Sequence, residues 1–563
     1  MATPLQTLLV RAPSFEGLNT EDSPLGQALT FALSAENAVI DRLGRLGSRL
    51  AFAKDTTSIP TTETILTETV RVEKNVTQMG GGDINGEYVI LCVVVVEQYN
   101  KENEVIRTDY FVCRRDDDVL TPMVMPPGIP DMTKIGRADI VYFNDRLYVF
   151  SNNNPALIYD NTADELVSMS AETNWSPPQD DDGNIVDEID GDIALPAYGR
   201  MWVSGVGGDY NRIYYSDLLI ANQWYDGKAE PTDTQNTGGI IDVSEFWPNG
   251  GDRIVSLAAH NNFLIVFGRE SILVYANAAS GDPAAEGGIF LQDSMKNLGS
   301  VGRDAVVNTG SDVLFVDDSG IRSLSRTIQE KSVPIGDISR NVRGDIRRVI
   351  SESAQERIEL SYWPSQSVIV CLFPDTGQAF VASANAPSST GGLKMTKWNR
   401  CFFNKTHYYE NQGTTAVYLG GNSDQNGILS YDGYTEWNNQ AFTFKYSSMP
   451  LDFGEPAKDK FMKSIDYTIF SLFEETNATA RWGYDGNLTR KKAIGIDALI
   501  PAYYNDATFG DTTFGASGST IRRYRVNTRG SGSMARIGLD VKILGNEVSV
   551  QEINVQTLLG RIN

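Results

Sequence analysis

A short apolar strand, a polar turn of Asn, Asp or Gly, and a second strand ending near an aromatic recur along the middle of this chain. One copy runs through residues 138–143, the turn Asn144-Asp145, then 147–150 and 156–160. Another runs through 254–258, the turn Asn261-Asn262, then 263–267 and 271–275. The phrase returns at 305–307, 313–316 and 320–324, and at 358–362, 367–370 and 379–381. Looser copies are 200–203 with 212–215, and 416–419 with 427–431. Copies lie roughly 50–60 residues apart, the period of propeller blades; a solenoid repeats at roughly 20–30 and tandem sandwiches at about 100. Each copy is an antiparallel meander too small to bury both faces, and radial packing lets every blade cover the next.

These observations predict an all-β chain: an irregular β-propeller of about six blades, an N-terminal arm or platform, and a C-terminal β-sandwich. The expected divisions are an arm over 1–60, a β-rich platform or extra blade over 61–130, the propeller over 131–438, and the sandwich or platform over 439–563. The strand set at 87–97 and 107–114 fits either a further blade or a separate platform. Two polar insertions, 172–192 and 225–239, are expected as long loops at one rim of the disc. Beyond residue 437 the strands lengthen and the repeat stops, which marks the sandwich.

Composition narrows the function classes. The chain has 563 residues, 41% hydrophobic and 21% charged, enough for a sizeable core. Its opening lacks a basic start followed by a long apolar stretch, so no signal peptide is expected. The longest apolar run, 88–96, is a buried strand rather than a bilayer span. Cys92, Cys113, Cys371 and Cys401 lack metal-ligand spacing and are expected as reduced core thiols. With 72 acidic against 48 basic side chains the net charge is −24, which excludes simple electrostatic gripping of nucleic acid. An acidic wall still lets DNA pass without sticking.

No catalytic constellation emerges. The two histidines, His260 and His407, have no nucleophile motif beside them, and no Gly-x-Ser-x-Gly elbow occurs. The Ser-x-Asp-x-Gly-x-x-Trp turns of sialidases are absent, and Gly80-Gly81-Gly82 lacks the Lys-Ser/Thr of a phosphate loop. Asp180, Asp181, Asp182, Asp187, Glu188 and Asp190 invite a calcium reading but miss the EF-hand register, so a solvated acidic loop is expected. Arg522, Arg523, Arg525 and Arg529 form a basic cluster with two readings, a charged edge that discourages strand pairing or a subunit contact with acidic neighbours. No catalytic residue, cofactor or metal ligand is assigned.

The two ends carry a family signal. Ala12-Pro13-Ser14-Phe15-Glu16-Gly17-Leu18-Asn19-Thr20, Glu36-Asn37 and Gly44-Arg45-Leu46-Gly47-Ser48-Arg49 resemble the N-terminal arm of phage tail nozzle proteins, the tail tubular protein B family of short-tailed phages. Gly530-Ser531-Gly532-Ser533-Met534-Ala535-Arg536-Ile537-Gly538, residues 548–556 and Leu559-Gly560-Arg561-Ile562 are similar to that family's last sheet. The blade phrases between are similar too. The resemblance implies a virion tail component, assembled in the host cytoplasm: a homohexamer docked on an adaptor ring, in contact with fibres or spikes and with the host surface at ejection. Double-stranded DNA would cross its lumen without sequence-specific binding. Six copies carry 6 × −24, or −144, a tube that repels phosphate. Under this reading the acidic loop faces the lumen or tip and the arginines face a neighbouring subunit. The alternatives are a receptor- or glycan-binding propeller and a propeller glycoside hydrolase.

Overall fold

A computed structural model describes residues 5–24, 30–41, 43–56, 65–126, 138–152, 154–178, 185–224, 238–279, 288–330, 337–422, 425, 427–471, 476–496 and 520–562. Alternating burial and left-handed turn residues explain its hairpins. Asn144 and Asp145 both have positive φ (48° and 59°), as do Asn261 and Asn262 (47° and 67°). Two such residues make the turn whose twist matches paired strands, and Asn and Asp tolerate it best.

Seven blades close a ring among the described residues. The first comprises Arg71–Ile84, Glu87–Tyr99, Val105–Asp116 and Val119–Pro122. The second runs from Ala138–Phe143 to Glu165–Ser168, the third from Ile193–Ala197 to Gly239–Asp242, and the fourth from Ser256–His260 to Phe290–Lys296. The fifth has three strands, Val306–Asn308, Val313–Asp317 and Gly320–Ser323, followed by the helix Leu324–Glu330. The sixth runs from Glu359–Trp363 to Leu393–Asn399. The seventh joins Lys405–Asn411, Thr414–Gly420 and Ile428–Tyr431 to Phe52–Lys54 from the arm. The strand set left open between platform and blade is thus a blade, so the ring has one more than the six repeats count. Its strands hid the likeness because three of them are 12 to 14 residues long, against 3 to 7 in blades two to five.

First strands pack side by side in a circle, from Arg71–Ile84 through Ala138–Phe143, Ile193–Ala197, Ser256–His260, Val306–Asn308, Glu359–Trp363 and Lys405–Asn411 back to Arg71–Ile84. Separate apolar clusters fill the wedges between blades. Leu91, Val93, Leu147 and Leu157 join the first two, and Phe150, Met201 and Trp224 join the second and third. Phe52, Trp363, Trp398 and Tyr431 join the sixth and seventh.

The arm is woven through the remainder. The fourth strand of the sixth blade, Leu393–Asn399, continues through Gly17–Leu18 and Phe31–Glu36 into Phe442–Ser448, Ala535–Ile543, Thr476–Tyr484 and Arg490–Ile496, a ten-stranded sheet. A facing sheet holds Thr520–Asn527, Lys458–Ser471, Val548–Ile562, Leu46–Ser48 and Ala38–Ile40, with Leu5–Arg11 paired to Val548–Ile562. Arg49 locks the junction. Its guanidinium sits 3.9 Å over Phe52 and 4.2 Å over Phe442, and it reaches Glu436 at 2.6 Å with none of its surface exposed.

Candidate functional site in the axial funnel

The circle of first strands surrounds a funnel of about 1450 Å³, which opens on the face where those strands begin. Blade one builds a tall wall, since its long strands run past the disc: the Arg71 guanidinium lies 4.3 Å over Tyr99 and 3.1 Å from Glu73. The Tyr99 hydroxyl donates to Glu97 at 2.8 Å. At the junction of the sixth and seventh blades, Arg357 is paired with Asp375 and donates to Asn404 Oδ1 at 2.6 Å, beside Phe402, and Asn404 Nδ2 donates to Val76 C=O of the first blade at 3.2 Å.

Every blade contributes to the floor. Gln78 Nε2 of the first lies 3.4 Å from Asp139 Oδ1 of the second, whose Oδ2 accepts from Ala194 N–H of the third at 3.2 Å. Ser256 Oγ of the fourth donates to Arg303 C=O at 2.9 Å, and Arg303 Nη1 donates to Asp192 C=O at 2.8 Å. Arg303 is 3.2 Å from its neighbour Asp304, which Lys405 of the seventh reaches at 2.9 Å. Lys405 stands 3.6 Å from Glu359 of the sixth, and Glu359 also accepts from Thr406 N–H at 2.9 Å and Thr406 Oγ1 at 3.0 Å.

Protein surrounds these groups, though several still touch the water of the funnel, and their proton affinities follow. Burial pushes the Glu359 carboxyl up to about 7; Asp304 adds to this and Lys405 opposes it. For Asp304 burial acts the same way, but Arg303 and Lys405 overcome it and hold the carboxyl well below the usual range. Burial also raises Asp139. His407, two residues past Lys405, is pushed down to about 4 by burial and by that ammonium. Its Nε2 lies 3.0 Å from the Tyr88 hydroxyl.

Sequence reasoning missed this floor, although a signal was present. Asp139 and Glu359 each interrupt the apolar start of a repeat, where a charge is costly unless paired. The glycine run has a packing role: a Cβ on Gly80 or Gly82 would strike Ile140 or Tyr142 of the second blade, and one on Gly81 would sit 3.0 Å from His407 Nε2.

Of the acidic loop, Asp180, Asp181 and Asp182 lie outside the described residues, as do 225–237 of the second insertion. Asp187 and Glu188 are exposed, while Asp190 Oδ1 accepts from Gly207 N–H at 2.6 Å, next to the buried Ile189. None of the three takes part in the funnel floor contacts above. Arg523 and Arg525 both converge on Asp466, which is fully buried beneath them; burial would raise that carboxyl, but their hydrogen bonds hold it low. Arg529 is exposed and its C=O accepts from Trp482 Nε1 at 3.1 Å, and Arg522 is half-buried. Cys92 and Cys113 face one another across two strands as free thiols, and all four cysteines are buried. Among the described residues no three His, Cys, Asp or Glu side chains are grouped to hold a metal ion, and no helix is long and apolar enough to cross a membrane.

No family model matches the chain, and no curated protein does. Among solved structures it is similar to PorZ of Porphyromonas gingivalis, an essential surface component of a type-IX secretion system. The identity is 11%, over 64% of this chain and 37% of that one, with a TM-score of 0.32. Hsv2 of Kluyveromyces lactis matches at 9% identity over 62% of this chain and 98% of its own, with a TM-score of 0.26. An exo-β-1,3-galactanase of Phanerochaete chrysosporium matches at 8% identity over 90% of this chain and 100% of its own, with a TM-score of 0.26. At these scores none informs the site. The chain's own closed circle of strands defines the propeller.

Proposed function

We propose that this chain is a structural component of a short phage tail, the nozzle, which assembles as a homohexamer on an adaptor ring and conducts double-stranded DNA at ejection. One observation carries the reading. The two terminal segments on which the family resemblance rests lie more than 500 residues apart in sequence, yet they are strand neighbours: Leu46 and Gly47 pair with Val550 and Ser549, and Ala12 N–H donates to Gln551 C=O at 2.9 Å. Such a platform, fused to the propeller through one continuous sheet, is a rigid body suited to stacking in a ring. The acidic balance favours low adhesion to phosphate. The funnel floor is filled with ion pairs, so the duplex would run between copies along the axis of the ring rather than through a propeller.

The nozzle role assigns no bond-making chemistry to the chain. Its arginine edge, already committed to Asp466, would meet acidic groups of the next copy through its exposed guanidinium faces. The test is the assembly itself: mass photometry of the purified chain, alone and with virion tails, together with antibody labelling of particles. A species of 6 × 61.9 kDa, or 371.4 kDa, and label at the tail tip are expected. A chain that stays monomeric with tails present and labels no particle ends the proposal.

A further inference from the structure

The geometry points to a saccharide-binding site in the axial funnel, centred on Phe402. A single exposed aromatic ring is common on protein surfaces and means little alone. Phe402 differs in its support. It is 44% exposed, and its ring lies on the backbone of Gly377, where φ is +62° and any Cβ would enter the ring. The ring therefore has one face fixed to the protein, while its residue lines the cavity. Such a platform suits the apolar C–H face of a pyranose.

Fixed hydrogen-bonding pairs flank it. Arg357 is bound to Asp375 and to Asn404 Oδ1, and Asp375 Oδ2 also accepts from Ala354 N–H at 2.8 Å. Arg71, Glu73, Tyr99 and Glu97 form a second preset group farther up the first blade, the blade whose Val76 C=O accepts from Asn404 Nδ2 at 3.2 Å. Adjacent donors and acceptors positioned by one another complement a vicinal diol, each of whose hydroxyls donates and accepts. The same pairing argues against other ligands. The guanidiniums of Arg71, Arg269, Arg303 and Arg357 are each matched by a carboxylate, and Arg253 is the one lining arginine without an ion pair among the described residues, a single cation rather than a clamp for phosphate or nucleic acid. The lining aromatics, Phe402, Tyr99 and Tyr210, stand among charged and amide side chains and form no continuous apolar pocket for a hydrophobic peptide. Neutral oligosaccharide is the class that remains, and the volume is ample for several sugar rings.

The inference stands apart from the nozzle reading, and the experiment separates them. Maltohexaose, cellohexaose and chitohexaose are offered to the full-length chain and followed by saturation-transfer NMR and calorimetry, with a twelve-residue thymidine oligonucleotide as the anionic comparison. At least one hexasaccharide is expected to bind. Phe402→Ala should weaken it about tenfold, the loss of one stacking contact, while Phe402→Trp retains it. Asp375→Asn should weaken it comparably without lowering the melting temperature. Failure of all three sugars, full affinity in Phe402→Ala, or equal binding of the oligonucleotide would overturn the site. Mass photometry of the same samples reads assembly independently, so a monomer that binds sugar sinks the nozzle and leaves this site standing.

Discussion

Glu359 enters the axis on the first strand of the sixth blade, 3.6 Å from Lys405, whose nearer partner is Asp304 at 2.9 Å. Burial raises the Glu359 carboxyl, Lys405 offsets this only in part and Asp304 adds to it, so Glu359 keeps its proton to about pH 7. The folded chain thus holds a proton that the unfolded chain, with an ordinary glutamate near 4.5, has lost. Stability from this group is present below about 4.5 and falls as pH rises through about 7. His407 works oppositely: depressed to about 4 from 6.5, it makes stability rise with pH across that lower window. The two offset each other up to about 6.5, leaving Glu359 alone above it. Wild type compared with Glu359→Gln by urea denaturation should therefore lose roughly 1–3 kcal/mol relative to the variant between pH 5 and pH 8. A difference that stays constant over that range would mean Glu359 is ionised throughout.

At the scale of elements, ring closure depends on how near one first strand can approach its neighbours. Arg71–Ile84 is squeezed between the second and seventh blades, and Gly80, Gly81 and Gly82 sit at the contact. Alternation along the strand sends Gly80 and Gly82 to one side and Gly81 to the other. Gly82→Ala should cost about 1–3 kcal/mol, because the added methyl meets the Tyr142 ring in a filled wedge. Gly495→Ala, on a strand with open space around it, should change stability by less than about 0.5 kcal/mol. Equal midpoints for the two variants in denaturant titrations would show that the wedge yields without cost.

At the scale of the molecule, propeller and sandwich share strands rather than a linker. The arm gives Phe52–Lys54 to the seventh blade and Leu5–Arg11 to the sandwich, and Leu393–Asn399 runs on into the ten-stranded sheet. Neither part can open without breaking a sheet of the other, so the intact chain should unfold as one unit. Near-ultraviolet circular dichroism weighted to Trp363 and Trp398 of the propeller should share its midpoint with a probe placed near Trp482 of the sandwich. Two transitions several degrees apart would mean that the shared sheet splits first.

The chain order of hydrophobic, polar and turn residues by itself determined the strands, their hairpins and six of the seven blades, because period-two alternation and Asn-Asp turns are local physics. Residues 71–122 stayed ambiguous since their long strands follow a different local rhythm, though the same packing claims them. Only the tertiary structure decided that the arm's Phe52 completes the last blade, that the glycine run is a packing seam, and that Asp139, Asp304, Glu359, Arg303 and Lys405 meet on the axis. Those contacts join residues up to several hundred positions apart, and a charge written into one strand acquires its partner only when the circle closes.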